Sequence, residues 1–285
     1  MKLGEIRHRH RFLLAGAGAV TLVLMGVVGG FVILLSGALS TDATTQHFLL
    51  THRILDAGLR FSVNNSSEDI VAPPLNDRAM VDRGLACYRE HCIQCHGSPG
   101  SDRLEEAKGL LPIPSSLAQS AREWPPESLY YITKKGVRMT GMPAWEFRIS
   151  DEGLWSTTAF LTQLPFLTQE QYLQMEAATR SVPCPRNTES PTHTSAERAD
   201  VLLRQYACHS CHRIEGVVGP KSYVGPPLID WSRRKYIAGV MPNTPENLAR
   251  WISDPKSVSP RTLMPDLDVA EPHAREMATY LMGLE

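Results

Sequence analysis

Residues Phe12 to Leu35, FLLAGAGAVTLVLMGVVGGFVILL, form one unbroken apolar stretch in which Thr21 is the only clearly polar side chain. As a helix, its 24 residues would span roughly 36 Å, more than the ~30 Å hydrocarbon core of a bilayer. After it the pattern breaks into shorter runs with helical spacing, and the alternation suited to strands is almost absent. Phe48, Leu49, Ile54, Leu55, Leu59 and Phe61 predict a helix within Asp42–Val63, near the membrane surface. Asn64–Asp77, rich in turn residues and prolines, predicts an extended connection. A helix is predicted over Arg78–His91 with Asn76 or Asp77 as its cap, a second from Pro125-Pro126-Glu127 to a stop at Gly136, and a third from Ser150 to just before Pro165. Thr168–Arg180 reads as helical, and Ser181–Ser195, rich in Pro, Ser and Thr, as a linker. Beyond it Thr194 and Glu197 form a capping box for another helix. Thr244-Pro245 opens one that carries Leu248, Trp251 and Ile252. The last starts near Glu271-Pro272 and sets Met277, Leu281 and Met282 on one side. The fold class expected is all-α.

Charge orients this pattern. Lys2, Arg7, Arg9 and Arg11 precede the apolar stretch, and the next basic residue is Arg53. The asymmetry places residues 1–11 in the cytoplasm, makes 12–39 a single-pass transmembrane anchor, and puts the rest outside. A cleaved signal peptide is the alternative. Ser36-Gly37-Ala38 would serve as its cleavage site, but its apolar core should be shorter. Gly26 and Gly30 have the small-xxx-small spacing that lets membrane helices approach. A net charge of −1 with 42% hydrophobic residues excludes a nucleic-acid footprint, which needs a strong basic excess.

The sequence Cys-x-x-Cys-His occurs twice, as Cys92, Cys95, His96 and as Cys208, Cys211, His212. Two cysteines three apart can add to two vinyl groups of one haem, while the following histidine turns its imidazole toward the iron. Zinc is one rival, because CxxC pairs also bind Zn²⁺, but a shared four-ligand site would have to join pairs far apart in the chain. A disulfide inside each pair is the other. Two covalently bound haem c groups fit both copies and both histidines. The copies define an internal repeat: 40–77 juxtamembrane helix and linker, 78–167 first haem domain, 168–194 linker, 195–285 second haem domain.

The sixth iron ligand separates a carrier from a catalyst. Met139 and Met142 are available in the first domain, and Met142 is followed by Pro143. In the second, Met264-Pro265 lies at the matching place before the last helix, and Met241-Pro242, before the middle helix, is the rival. His/Met ligation with Met142 and Met264 raises the reduction potential and leaves no open position on iron.

Each domain resembles class I cytochrome c. In the second, VGPPLID (Val224–Asp230) matches the family's Gly-Pro-x-Leu loop, and LARWISDPKSVSPRTLMP (Leu248–Pro265) the stretch leading to the axial Met. The resemblance implies that the Pro226 carbonyl accepts a hydrogen bond from His212. The first domain lacks that loop; PIPSSL (Pro112–Leu117) stands in, with Pro114 in the role of Pro226. Its GVRMTGMPAW is similar to the Gly-Met-Pro-Ala segment of membrane-anchored bacterial cytochromes c. The resemblance implies a one-electron carrier on the outer, periplasmic face of a bacterial cytoplasmic membrane. Its partners would be redox proteins, a quinol-oxidising complex as donor and a terminal cytochrome c oxidase as acceptor, with no small-molecule substrate. A cytochrome subunit of a periplasmic dehydrogenase is the second reading, and a dihaem peroxidase-type enzyme the third.

Cys87 and Cys184 remain, as a disulfide or as two thiols. Lys134, Lys135 and Arg138 precede Met142, and Arg233, Arg234 and Lys235 follow the Gly-Pro loop. They form either a solvated basic face or a rim that steers an acidic partner. His47 and His52 read as surface residues near the membrane.

Overall fold

The computed structural model describes residues 2–38, 40–45, 48–187 and 195–284, with side chains for all of these except 2–12 and 195–198. The expected Thr194–Glu197 capping box and His47 lie outside this description. The chain divides into two compact units, residues 1–56 and 57–285.

In the first unit, α1 (Lys2–Leu35) contains the apolar stretch. Its segment Leu13–Leu35 has a mean hydropathy of 2.5 and is the one helix, among the described residues, long and apolar enough to cross a membrane. Helix α2 (Leu49–Ser67) begins here and ends in the second unit. It overrides the expected extended connection at Asn64–Ser67. The extra turn forms because Val63 and Ser67 are buried. The Ser67 hydroxyl satisfies itself on the Val63 carbonyl (2.9 Å) and the Ser128 hydroxyl (2.9 Å).

The second unit is helical: α3 (Arg78–His91), α4 (Ile93–His96), α5 (Glu105–Lys108), α6 (Leu117–Glu123), α7 (Pro126–Lys135), α8 (Asp151–Gln163), α9 (Gln169–Ala178), α10 (Ser195–Gln205), α11 (Pro245–Ser253), α12 (Pro255–Val258) and α13 (Glu271–Met282). The strands β1 (Tyr236–Ile237) and β2 (Met241–Pro242) form one antiparallel pair. The caps follow local chemistry. Asp77, not Asn76, accepts from the Met80 amide at 2.9 Å, Ser150 accepts from Gly153, and Thr168 with Gln171 completes a capping box. Gly136 ends α7 at φ +66°, a left-handed conformation that glycine adopts without strain.

Two cores organise this unit. The first is built on the crossing of α3 and α8, where Leu85, Tyr88, Ala159 and Phe160 are buried together. The helices touch backbone to backbone at Gly84, where a Cβ would stand 1.9 Å from the Ser156 carbonyl oxygen. Gly84→Ala is therefore expected to force the helices apart and destabilise the protein by about 1–3 kcal/mol, read as a lower denaturant midpoint. Helix α9, expected as part of a linker, instead buries Tyr172 against Tyr88 and Phe160. Beyond it, Cys184 forms a disulfide with Cys87 across a Cα–Cα distance of 4.5 Å. Arg89 secures the same segment on the Thr179 and Val182 carbonyls. The second core gathers Leu202 and Leu203 of α10, Leu248 and Ile252 of α11, and Met277, Ala278 and Leu281 of α13. Buried within it, the Tyr206 hydroxyl and His273 Nδ1 lie 2.9 Å apart.

Candidate functional site

The two CxxCH copies share one backbone. In the first, the amides of Cys95 and His96 both donate to the Cys92 carbonyl, at 3.2 and 3.0 Å. In the second, those of Cys211 and His212 donate to the Cys208 carbonyl, at 3.2 and 2.9 Å. Each motif is thus wound into a helical turn, which brings residues three apart to one face. The first turn is tied to α3 by the Tyr88 hydroxyl, which donates to the Gly97 carbonyl at 2.5 Å. Burial, and next the neighbouring Cys95, push the Cys92 thiol up to about 12. Burial likewise pushes Cys208 up to about 11. Both sulfurs are held as neutral thiols at physiological pH.

Each motif histidine is oriented by a main-chain carbonyl. His212 Nδ1 lies 2.8 Å from the Pro226 oxygen. His96 Nδ1 lies 2.7 Å from the oxygen of Ser115, not of Pro114. Pro114 is displaced from the expected role because its carbonyl already accepts from the Arg103 guanidinium at 2.8 Å. A carbonyl only accepts, so Nδ1 carries the proton in both rings and the Nε2 lone pair is left for a metal. Burial pulls His96 below its ordinary value, the Ser115 bond opposing and Arg103 adding, which favours the neutral ring. Gly225 packs flat against the second imidazole: a Cβ there would come within 2.4 Å of His212 Cε1. His212 also lines a cleft of about 420 Å³ with His209, Ile214 and Val217.

The methionines divide by local structure. Thr140 Oγ accepts from the Met142 amide at 3.1 Å, and Thr262 Oγ accepts from the Met264 amide at 3.2 Å. The same Thr-x-Met-Pro turn thus presents both. Met139 is 91% exposed, at φ +64°. Met241 lies in β2, paired with Ile237, and has no such turn. The matching Thr two residues before each Met is a signal already present in the sequence.

Donor chemistry bears on the rival cofactors. Among the described residues, the only histidine, cysteine and carboxylate group close enough for an ion is Glu90, His91 and Cys184, and Cys184 is in the disulfide. Neither CxxCH triplet closes into a cage of its own. A turn with two cysteines three apart and a histidine whose Nε2 is left for a metal suits a covalently attached haem better than a zinc ion.

The basic residues before Met142 are partly occupied. Lys134 pairs with Asp151 (2.9 Å) and Lys135 with Glu146 (2.8 Å). Arg234 stacks over Trp231 at 4.5 Å and donates to the Pro227 carbonyl, while Arg233 and Lys235 are exposed.

Residues 79–161 match the family described as cytochrome C oxidase, cbb3-type, subunit III. The chain is also 32% identical over 98 residues to cytochrome c oxidase subunit 2 of Alkalihalophilus pseudofirmus, an alignment covering 34% of this chain. It spans 28% of the length of that relative. Such a domain implies covalently bound haem c and the work of an electron carrier rather than an enzyme. The motif at Cys92–His96 lies inside the matched residues, so this part of the chain is similar to the c-type cytochrome domains of cytochrome oxidase subunits.

Proposed function

We propose that the protein is a membrane-anchored dihaem cytochrome c that passes single electrons toward a terminal cytochrome c oxidase. The observation that carries this reading is the duplication of the whole local arrangement. A wound CxxCH turn, a carbonyl on His Nδ1 and a Thr-x-Met-Pro turn occur at both sites. Haem, when bound, supplies iron that cycles between Fe(III) and Fe(II). Cys92 and Cys95, and Cys208 and Cys211, would hold it by thioethers. His96 and His212 offer Nε2 on one side, with their rings fixed by Ser115 and Pro226. Met142 and Met264 would supply sulfur as the second protein ligand, which would leave no open position for oxygen or peroxide. Leu13–Leu35 serves as the anchor, with both haem domains on the periplasmic side. The oxidase is favoured as acceptor over a dehydrogenase as donor because the matching family and the similar protein are both described as oxidase subunits.

A redox titration of the full chain tests this. Two one-electron waves are expected, with both haems low-spin and showing the weak near-infrared band of methionine ligation. A single wave, or a high-spin haem that binds CO in the resting protein, would contradict it. Met142→Ala and Met264→Ala are each expected to lower one wave by on the order of 0.1 V, a fraction of the roughly 0.8 V that axial ligation spans. Haem attachment should persist in both variants, and an unchanged potential would overturn the ligand assignment at that site.

A further inference from the structure

The segment after Met142 is shared between the second core and a smaller buried cluster around the disulfide. Ala144 and Phe147 are buried in the second core with Leu202, Leu203 and Tyr206, while Ile149, with Trp145 beside it, packs in a separate, smaller cluster with Cys87, Tyr130 and Cys184. The Phe147 ring stands edge-on to His273, with centroids 6.4 Å apart. Arg148 donates from Nη2 to the Gln205 carbonyl at the end of α10 (2.6 Å) and lies over the Tyr206 ring at 5.4 Å. A 3-10 turn at Trp145–Phe147 sends neighbouring side chains in these opposite directions.

Slack between this anchorage and Met142 is small. Only Pro143, with its fixed φ, separates Met142 from Ala144. The Met142 carbonyl accepts from the Val137 amide (3.2 Å), and Thr140 binds both the Met142 amide and the Val137 carbonyl (2.7 Å). Gly136 lies so close under the loop that a Cβ would meet the Pro143 oxygen at 2.6 Å. Glu146, with a side chain only 15% exposed, is held by Lys135. A loop tied this tightly transmits a shift at Phe147 rather than absorbing it.

We infer that Phe147 and Arg148 are positioning residues for Met142, so that the second core braces the axial ligand of the first site. The inference rests on Met142 being that ligand. The thermodynamic consequence is coupling: whatever loosens the second core weakens methionine ligation in the first.

The test uses the full dihaem protein and four variants, Met142→Ala, Phe147→Ala, Phe147→Leu and Arg148→Gln. Met142→Ala identifies which wave belongs to the first site. Phe147→Ala is expected to lower that same wave, leave the other in place, and remove part of one haem's share of the near-infrared methionine band. Phe147→Leu, which refills the pocket with an apolar side chain, should restore both. If Phe147→Ala fails to accumulate, Arg148→Gln keeps the buried ring and should lower the same wave by a smaller amount. A thermal midpoint that falls while both waves stay put would make these residues structural only and overturn the inference. So would a parallel fall of both waves. An unchanged titration in Met142→Ala would instead strike the ligand reading itself.

Discussion

Cys208→Ser combined with Cys211→Ser is expected to yield a protein that keeps one haem and loses the other. Thioether bonds survive denaturation, so the denatured mass should fall by one haem and the haem-to-protein ratio should halve. One wave should vanish from the titration. The effect is large because the thioethers are what retains a haem in a small domain, and a domain of this size has little spare core. Cys92→Ser with Cys95→Ser should give the complementary protein with the other wave. A double variant that still carries two haems, or a parent protein that carries one, would refute the dihaem reading.

Removing the Cys87–Cys184 disulfide, as Cys87→Ala with Cys184→Ala, should cost the most stability. The bridge closes a loop of 97 residues, for which the chain-entropy account gives roughly 4–5 kcal/mol. That is a large part of the ~5–15 kcal/mol by which folded domains usually exceed their unfolded chains. For a folded part of about this size, the thermal midpoint should drop by roughly 8–20 °C. Both cysteines are buried beside Tyr130, Ile149 and Leu154, so alanine leaves no unpaired polar group behind. Reduction of the parent protein should reproduce the drop, and a variant as stable as the parent would refute it. The bridge also explains the fate of residues 168–187, expected as a linker. Cys184, Tyr172 and the carbonyls that hold Arg89 draw this segment onto α3.

The basic residues show how a charge pattern can mislead. Lys134, Lys135 and Arg138 look like a free cluster along the chain. Folding brings Asp151 to Lys134 and Glu146 to Lys135. Acids distant in sequence thus take up part of the charge. If steering of an acidic partner operates, it is left mainly to exposed Arg138, Arg233 and Lys235. Electron-transfer rates insensitive to ionic strength would exclude it.

Features that depend on neighbours within a few residues were legible without coordinates. The apolar stretch, the caps at Asp77 and Ser150, the glycine stop at Gly136 and the two CxxCH turns all rest on contacts inside one helical turn. The His212 partner was legible too, because the loop at Gly225-Pro226 resembles a known one. Its counterpart at Ser115 was missed by one residue. Nothing in PIPSSL indicates that Arg103 claims the Pro114 carbonyl, and this competition exists only once the loop has folded back.

The remaining decisions needed the folded chain because they join residues tens of positions apart. The pairing of Cys87 with Cys184, the extra turn of α2 made by Ser67 on Ser128, and the burial of Phe147 in the second core and Ile149 beside the disulfide are of this kind. Residue order carries side-chain chemistry and short-range geometry. It does not say which distant surfaces meet, since that choice is made by the simultaneous packing of every apolar face.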